Sequence, residues 1–363
     1  MSIRRFTYVK INNYYYCINT GKWKMFRYLM NKFKPLSLVD ETAQHMLLPD
    51  RLAKSYRVMR LLFFMHRGLK KNKLSTIKLP VYGQVAMFKK NDNAYMIFDA
   101  EREVVTFFPA GSPKEMKTGK VSYLRKIGQS GIGPRIMEEN RKEGWYKEEY
   151  LNTPHESPEK LEQSERLQTE VMGFIGRVIS QFPIKTVPLS HYVTKLMAKL
   201  PDNMLKDEHY APKINQILSF IAMLREGLSQ AEEQNIDLAF SHGDLHLKNL
   251  IRRDGRLIGI DWEFMKWRSL LYDAYYFYNF IRKEPDASAL LRELEASKEL
   301  ELSPINPDTY RMVFQLEWIV HWLVIIGDRL EKIKPARVHH ILDNLIQSQH
   351  YFLRAWRRDE GCS

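Results

Sequence analysis

The sequence predicts an α+β chain of two lobes, a small antiparallel β-rich first lobe and a larger helical second lobe, preceded by a basic N-terminal extension. Three observations predict it. Between Val81 and Pro109, short runs rich in β-branched and aromatic residues (YGQVAMF, AYMIFD and EVVTFF) are separated by the polar breaks KKNDN and AER, as an antiparallel meander requires. From Leu167 onward apolar residues recur at helical spacing, most plainly at Ile214, Ile217, Leu218, Ile221 and Leu224. Residues 1 to 80 hold 17 Lys and Arg against 3 Asp and Glu, so the net charge of +13 belongs to the leading segment and the rest of the chain sums to about −1.

The 363 residues are 44% apolar and 27% charged, ordinary for a soluble globular protein and long enough for two lobes. Cys17 and Cys362 stand at opposite ends, which excludes a disulfide framework and a cysteine metal site and fits a reducing compartment. Arg4, Arg5, Lys10 and the pair Asn12-Asn13 break up the start before an apolar signal region forms. The apolar stretches Leu61 to Met65 and Ile319 to Ile326 fall far short of the ~20 residues that cross a bilayer. A cytoplasmic protein is expected, with peripheral contact at the inner face of a membrane as an option for its basic segment.

In chain order, residues 1 to 80 interleave basic and aromatic side chains, and Asp50 to Lys71 carries Leu52, Tyr56, Met59, Leu62 and Phe63 at helical spacing. Three readings of this segment compete. It caps the first lobe with a solvated basic face, it lies on an anionic membrane surface, or, ranked last for want of a recognised motif, it binds nucleic acid. Residues 81 to 153 form the β-rich lobe, with a helix from Pro113 to Ile132 and a further strand from Trp145 to Leu151. Residues 154 to 363 form the helical lobe, opened by the aperiodic polar stretch Pro154 to Glu165. Its helices run Thr169 to Gln181, Val193 to Leu200, Ala211 to Glu233, Tyr272 to Ile281, Pro307 to Lys332 and Ala336 to Trp356. The aromatic row of Tyr272, Tyr275, Tyr276, Phe277, Tyr278 and Phe280 reads as core rather than as a stacking platform.

The chemistry gathers in FSHGDLHLKNLIRRDGRLIGIDWE, Phe240 to Glu263. His242, Gly243 and Asp244 are followed by Asn249 five residues after the aspartate, then by a hairpin pattern with Asp254-Gly255 at its turn that ends on Asp261. Phosphoryl transfer needs a carboxylate to orient and deprotonate the attacking hydroxyl and a few oxygen ligands for Mg²⁺ beside the nucleotide phosphates. H-x-D-x-x-x-x-N supplies that set in kinases.

With SHGDLHLKN, IDWE at 260 to 263 and LYDAYYF at 271 to 277, the chain resembles the aminoglycoside phosphotransferase and choline kinase superfamily, the small-molecule branch of the protein-kinase-like fold. The resemblance implies an ATP- and Mg²⁺-dependent phosphotransferase acting on a hydroxyl of a small molecule. It makes Asp244 the catalytic base, Asn249 and Asp261 the metal ligands, and Asp273 a buried support for the catalytic loop. Glu148-Glu149-Tyr150-Leu151 falls where the family places its hinge, so backbone groups of Glu149 and Leu151 would meet the adenine. The same motifs look like relatives that serve cell-envelope polysaccharide synthesis, which implies a sugar or glycan-precursor acceptor. Glu317, Trp318, His321 and Trp322 are acceptor candidates on the same footing.

The first lobe departs from the family pattern. EVVTFF has no strand lysine for the nucleotide phosphates, Lys117 and Lys120 stand on the helix that would carry the partner glutamate, and no Gly-rich loop is visible. Lys89, Lys90 and Lys114 are the candidate replacements. The departure keeps two rivals in view: a nucleotide-binding pseudokinase or scaffold at an anionic membrane, and a protein kinase. The second would need an activation segment, for which the ten residues from Asp261 to Leu271 are too few.

Overall fold

The computed structural model describes residues 5–11, 13–31, 50–70, 74–89, 93–110, 118–151, 165–201, 208–280, 287–298, 302–303, 305–329, 333 and 335–360. The chain divides into two compact units, Met1–Glu156 with Leu250–Glu263, and Ser157–Asn249 with Phe264–Ser363.

The first unit is built on one antiparallel sheet. Its strands are β1 (Phe6–Ile11), β2 (Tyr14–Cys17), β3 (Thr76–Leu79), β4 (Val85–Lys89), β5 (Ala94–Asp99), β6 (Val104–Pro109), β7 (Ile136–Asn140) and β8 (Trp145–Glu149), in the order β3-β1-β2-β4-β5-β6-β8-β7. The two-residue alternation of a strand sends successive side chains to opposite faces. Val9, Ile11, Tyr16 and Val85 enter one core with Met25 and Leu29 of α1 (Lys22–Asn31) and Val58 and Leu62 of α2 (Asp50–Lys70). Tyr8, Tyr15, Cys17, Ala86 and Ile97 enter a second core on the other face. The larger of these buried side chains, such as Val9, Ile11, Leu29 and Ile97, each contribute ~1.5–3 kcal/mol, so both faces hold the sheet together.

The division differs from the expectation at residue 80. Strands β1 and β3 are hydrogen-bonded in register (Phe6↔Leu79, Tyr8↔Ile77) and β2 pairs with β4 (Tyr16↔Val85), so the leading residues continue the sheet instead of preceding it. The alternation in FTYVKI and YYYC is a strand signal that the basic and aromatic composition obscured. The meander β4-β5-β6 and the strand β8 stand where the sequence puts them, and α3 (Thr118–Gln129) lies inside the expected helix. Residues 113–117 of that helix, with Lys114 and Lys117, lie outside the described residues, as does Lys90, and Ser130 to Ile132 leave the helix as a turn.

The hairpin of β11 (Leu250–Arg253) and β12 (Arg256–Gly259) belongs to this first unit. Asp254 (φ 50°) and Gly255 (φ 78°) are both left-handed, the conformation that a two-residue turn between right-twisted strands demands. The Gly259 N–H donates to the Ile132 carbonyl at 2.9 Å, which docks the hairpin behind α3.

The second unit is helical around a small sheet. β9 (Lys185–Pro188), β10 (Asn235–Ser241) and β13 (Lys266–Ser269) pair antiparallel with β10 in the centre. The helices are α4 (Glu165–Gln181), α5 (Leu189–Met197), α6 (Ala211–Ser229), α7 (Tyr272–Phe280), α8 (Ala287–Lys298), α9 (Pro307–Arg329) and α10 (Pro335–Glu360). α9 packs against α5, α6 and α7, and α10 closes against α6 and α9. No described helix is long and apolar enough to cross a membrane.

Candidate active site

In the second unit, β10 delivers the chain to His242, Gly243 and Asp244. Ile236, Leu238, Ala239 and Phe240 are buried, which fixes the strand and hence the loop that leaves its end. Gly243 has φ 84°, and a Cβ there would stand 2.3 Å from Arg268 Nη1 and 2.5 Å from the Phe264 carbonyl oxygen, so only glycine fits. Arg268, fully buried on β13, donates from Nη1 to Ser241 Oγ at 2.6 Å and lies over the Tyr272 ring. Nothing in the sequence marked it.

Asp273 supports the loop as the resemblance implies. At the start of α7 its carboxylate accepts the N–H of His242 at 2.6 Å and of Gly243 at 2.9 Å. Burial pushes its pKa up against the opposing pull of His242 and the two backbone donors.

Asp244 is held on both carboxylate oxygens. Tyr276 donates its hydroxyl to Oδ1 at 2.6 Å, and Asn249 Nδ2 donates to Oδ2 at 3.3 Å and to the Asp244 carbonyl at 2.9 Å. His246 Nε2 lies 3.6 Å from Oδ2. Asn249 closes a short 3₁₀ turn, Leu247–Asn249, which turns its amide back onto the aspartate. With its Nδ2 so committed, Asn249 presents Oδ1 as an oxygen donor. Tyr276 is the residue that the aromatic row concealed. It shares a helix face with Asp273 at an i, i+3 spacing, and burial, followed by the Asp244 charge, pushes its phenol pKa up and keeps it a donor. The rest of the row, Tyr272, Tyr275, Phe277 and Tyr278, is core as expected.

A cavity of about 770 Å³ opens beside Tyr276 in the same unit. It lies between Trp318 and Trp322 of α9 and one face of α10, and its size suits a small-molecule site. Of the other acceptor candidates, Glu317 is buried and spent on the Ser269 N–H (3.1 Å), the Ser269 hydroxyl and the Tyr192 hydroxyl. His321 packs edge-on against Phe264, and burial with the nearby Arg268 and Lys266 pushes its pKa down to about 3. Both residues are structural.

In the first unit, Asp261 sits two residues beyond β12 at φ 62°, a left-handed geometry that aspartate tolerates better than bulkier residues. Its carboxylate accepts a hydrogen bond from Lys89 Nζ, and the same ammonium lies 2.7 Å from Glu263 Oε2. Burial alone would lower the Lys89 pKa, but the two carboxylates outweigh it and push it up. Of the three lysines named as substitutes for the missing strand lysine, Lys89 at the end of β4 is therefore the one seen with the hairpin acids. A crevice of only about 20 Å³, room for one water, is lined by Lys89, Lys120, Glu148, Asp261 and Glu263 among others.

Glu149 is occupied structurally. Its carboxylate takes Arg253 Nη1 at 2.8 Å and Arg135 at 3.3 Å, and its N–H donates to the Arg135 carbonyl at 2.9 Å. Burial opposes ionisation, yet these arginines hold its pKa below the usual range. Leu151 follows β8 and is half-buried.

Asn249 and Asp261 are hard oxygen donors of the kind Mg²⁺ accepts, and that ion needs few protein ligands. Among the described residues there is no group of three or more His, Cys, Asp and Glu that would hold a metal unaided.

A loop aspartate gripped by the asparagine five residues on, braced by a buried aspartate and hydrogen-bonded to a tyrosine that lines a ligand-sized cavity, is an arrangement of the class of phosphoryl-transfer enzymes. The sequence comparison agrees: the chain belongs to the phosphotransferase enzyme family, whose profile matches residues 90–312. No curated protein matches the chain in sequence. Among solved structures it is similar to choline kinase LicA from Streptococcus pneumoniae, at 12% identity over 71% of this chain and 89% of that one, with a TM-score of 0.48. Choline kinase from Cryptosporidium parvum is similar at 14% identity over 74% and 87%, with a TM-score of 0.48. The AMP-bound spectinomycin phosphotransferase APH(9)-Ia is similar at 14% identity over 73% and 92%, with a TM-score of 0.45.

Proposed function

We propose that the protein transfers the γ-phosphoryl group of ATP to a hydroxyl of a small molecule, a sugar or cell-envelope glycan precursor, with Asp244 as base. The single observation that carries this reading is the Asp244 carboxylate, oriented by Asn249 and by Tyr276, a residue that also lines the 770 Å³ cavity. An acceptor in that cavity gives its hydroxyl proton to Asp244 while its oxygen attacks the γ-phosphorus, the bond from that phosphorus to the bridging oxygen breaks, and ADP leaves. Asn249 and Asp261 would hold Mg²⁺, which when bound neutralises charge on the phosphates. Asn249 immediately precedes Leu250, whose partner across the hairpin is Gly259, two residues before Asp261. Lys89 takes the part of the absent strand lysine. Backbone groups of Glu149 and Leu151 meet the adenine. Orientation and fixed charge, without a covalent intermediate, supply the acceleration.

The test is Mg²⁺-dependent ATP turnover with a panel of sugars, amino alcohols and glycans. Asp244→Ala and Asp261→Ala are expected to cut kcat by ~10²–10⁴, and wild-type turnover in both variants overturns the assignment. The Lys89 pairing with Asp261 and Glu263 favours the enzyme over a pseudokinase, since it puts a cation beside the hairpin acids where the strand lysine is absent. β13 begins at Lys266 and α7 at Tyr272, which leaves a protein kinase no room for an activation segment.

A second element of the reading concerns the leading helices. Trp23, Leu52, Tyr56, Met59 and Phe63 are more than half exposed, and the last four share one face of α2. With the basic charge around them, this face suits peripheral contact with an anionic membrane. Because β1 to β3 belong to the sheet, removing residues 1 to 80 would unfold the unit, so the test is Trp23→Ser with Phe63→Ser. Salt-sensitive binding to phosphatidylserine vesicles that drops in the double variant supports it; equal binding refutes it.

A further inference from the structure

The cavity lined by Tyr276, whose hydroxyl reaches Asp244, carries an electrostatic signature that the family name does not predict. Arg337, His340, Asn344, Ser348, Tyr351 and Arg354 fall every three or four residues along α10 and present one stripe to it. Facing them are the indoles of Trp318 and Trp322, with the ring of Tyr276 below. Among the described residues that line it, none is Asp or Glu. Arg337 and Arg354 are exposed, and neither has a carboxylate partner among the described residues. They are 17 positions apart, about 25 Å at the 1.5 Å rise of a helix, so the stripe is longer than one sugar ring and positive at both ends. A cationic amino alcohol or aminoglycoside entering here meets two guanidinium groups and, among the described residues that line the cavity, no carboxylate. An anionic chain meets flat aromatic faces for its rings and arginine forks for its carboxylates or phosphates.

Resting on the phosphotransferase reading, we infer that the acceptor is an anionic saccharide of more than one ring, lying along α10 with Arg337 and Arg354 on its negative groups. The reacting hydroxyl is the one beside Tyr276, whose own hydroxyl reaches Asp244.

The test uses the full-length protein and three size-matched probes: trigalacturonate (anionic), maltotriose (neutral) and the glucosamine trimer (cationic). Binding is measured by calorimetry without nucleotide, so the readout does not depend on catalysis. The expected affinity order is trigalacturonate, then maltotriose, then the glucosamine trimer. Trigalacturonate affinity should fall with added salt and by about tenfold in the double variant Arg337→Gln, Arg354→Gln, with maltotriose moved less than twofold. Galacturonate monomer should bind more weakly than the trimer. Tighter binding of the glucosamine trimer, an unchanged trigalacturonate affinity in the double variant, or no trigalacturonate binding overturns the inference. The two readings fail separately. A protein that shows Asp244-dependent ATP turnover but ignores trigalacturonate refutes the charge assignment. One that binds trigalacturonate as described but shows no Asp244-dependent turnover with any acceptor refutes the phosphotransferase reading.

Discussion

Lys89→Met removes an ammonium while keeping the length of the side chain, and the structure sets the size of the loss. The Lys89 side chain is 14% exposed, that of Glu263 10% and that of Asp261 42%. At the effective dielectric of such sites, unit charges ~4 Å apart interact by ~4 kcal/mol before desolvation is subtracted. Taking the cation from the buried Glu263 costs ~3 kcal/mol. The half-exposed Asp261 adds only the ~0.5 kcal/mol of a surface pair, so the expected loss is about 3 kcal/mol. The sign of the pH dependence follows from the raised pKa of Lys89. Its contribution is whole below the ordinary lysine value of ~10.4 and disappears only as pH climbs through the raised folded value. The difference between wild type and variant should therefore be flat from about pH 6 to 9. Urea unfolding followed by tryptophan fluorescence measures it, and ATP turnover at the same pH should fall by ~10². A variant within 0.5 kcal/mol of wild type, or one that turns ATP over normally, refutes the reasoning.

Asp273→Asn replaces a carboxylate that accepts two backbone N–H groups with an amide that accepts on one side only. It should cost ~2 kcal/mol in urea unfolding and disorder the loop that carries Asp244; wild-type stability would show that the brace is dispensable. Tyr276→Phe deletes the 2.6 Å hydrogen bond to Asp244 and should lower kcat/KM about tenfold while the melting temperature stays within a few degrees. An unchanged kcat/KM would show that the phenol only packs. His321 is kept neutral by burial with a pKa of about 3. The unfolded chain takes up a proton below pH ~6.5 that the folded chain refuses, so stability is whole above that pH and declines as pH falls, by up to ~1.4 kcal/mol per unit. His321→Phe should flatten the decline in urea titrations between about pH 4.5 and 6.5, and an equal slope in the variant contradicts it.

What was legible in the sequence was local. Asp244 and Asn249 share one turn of chain, and Asp254-Gly255 names its own hairpin, so spacing and turn chemistry were enough for both. Asp273 was legible through the family resemblance and stands where that resemblance implies. The partner of Asp261 was not, because Lys89 lies 172 residues away and meets the aspartate only through the docking of the hairpin. Two neighbouring candidates looked equivalent on paper. Tyr276 was hidden because five aromatic neighbours share its composition, and only the helical phase relative to Asp273 distinguishes it. Arg268 gave no signal, since a lone arginine between Trp267 and Ser269 reads as a surface residue until the strand around it is buried. The first 80 residues misled for the opposite reason: their charge was conspicuous and their strand alternation short.

A double-mutant cycle on ATP turnover with the preferred acceptor tests the central claim most directly, using Asp244→Ala, Asp261→Ala and the pair. If both carboxylates serve one transfer step, the double variant should be scarcely slower than the worse single one, because residues acting as a unit lose their effect together. Losses that multiply across the two sites, or a single variant that retains wild-type turnover, would contradict the account.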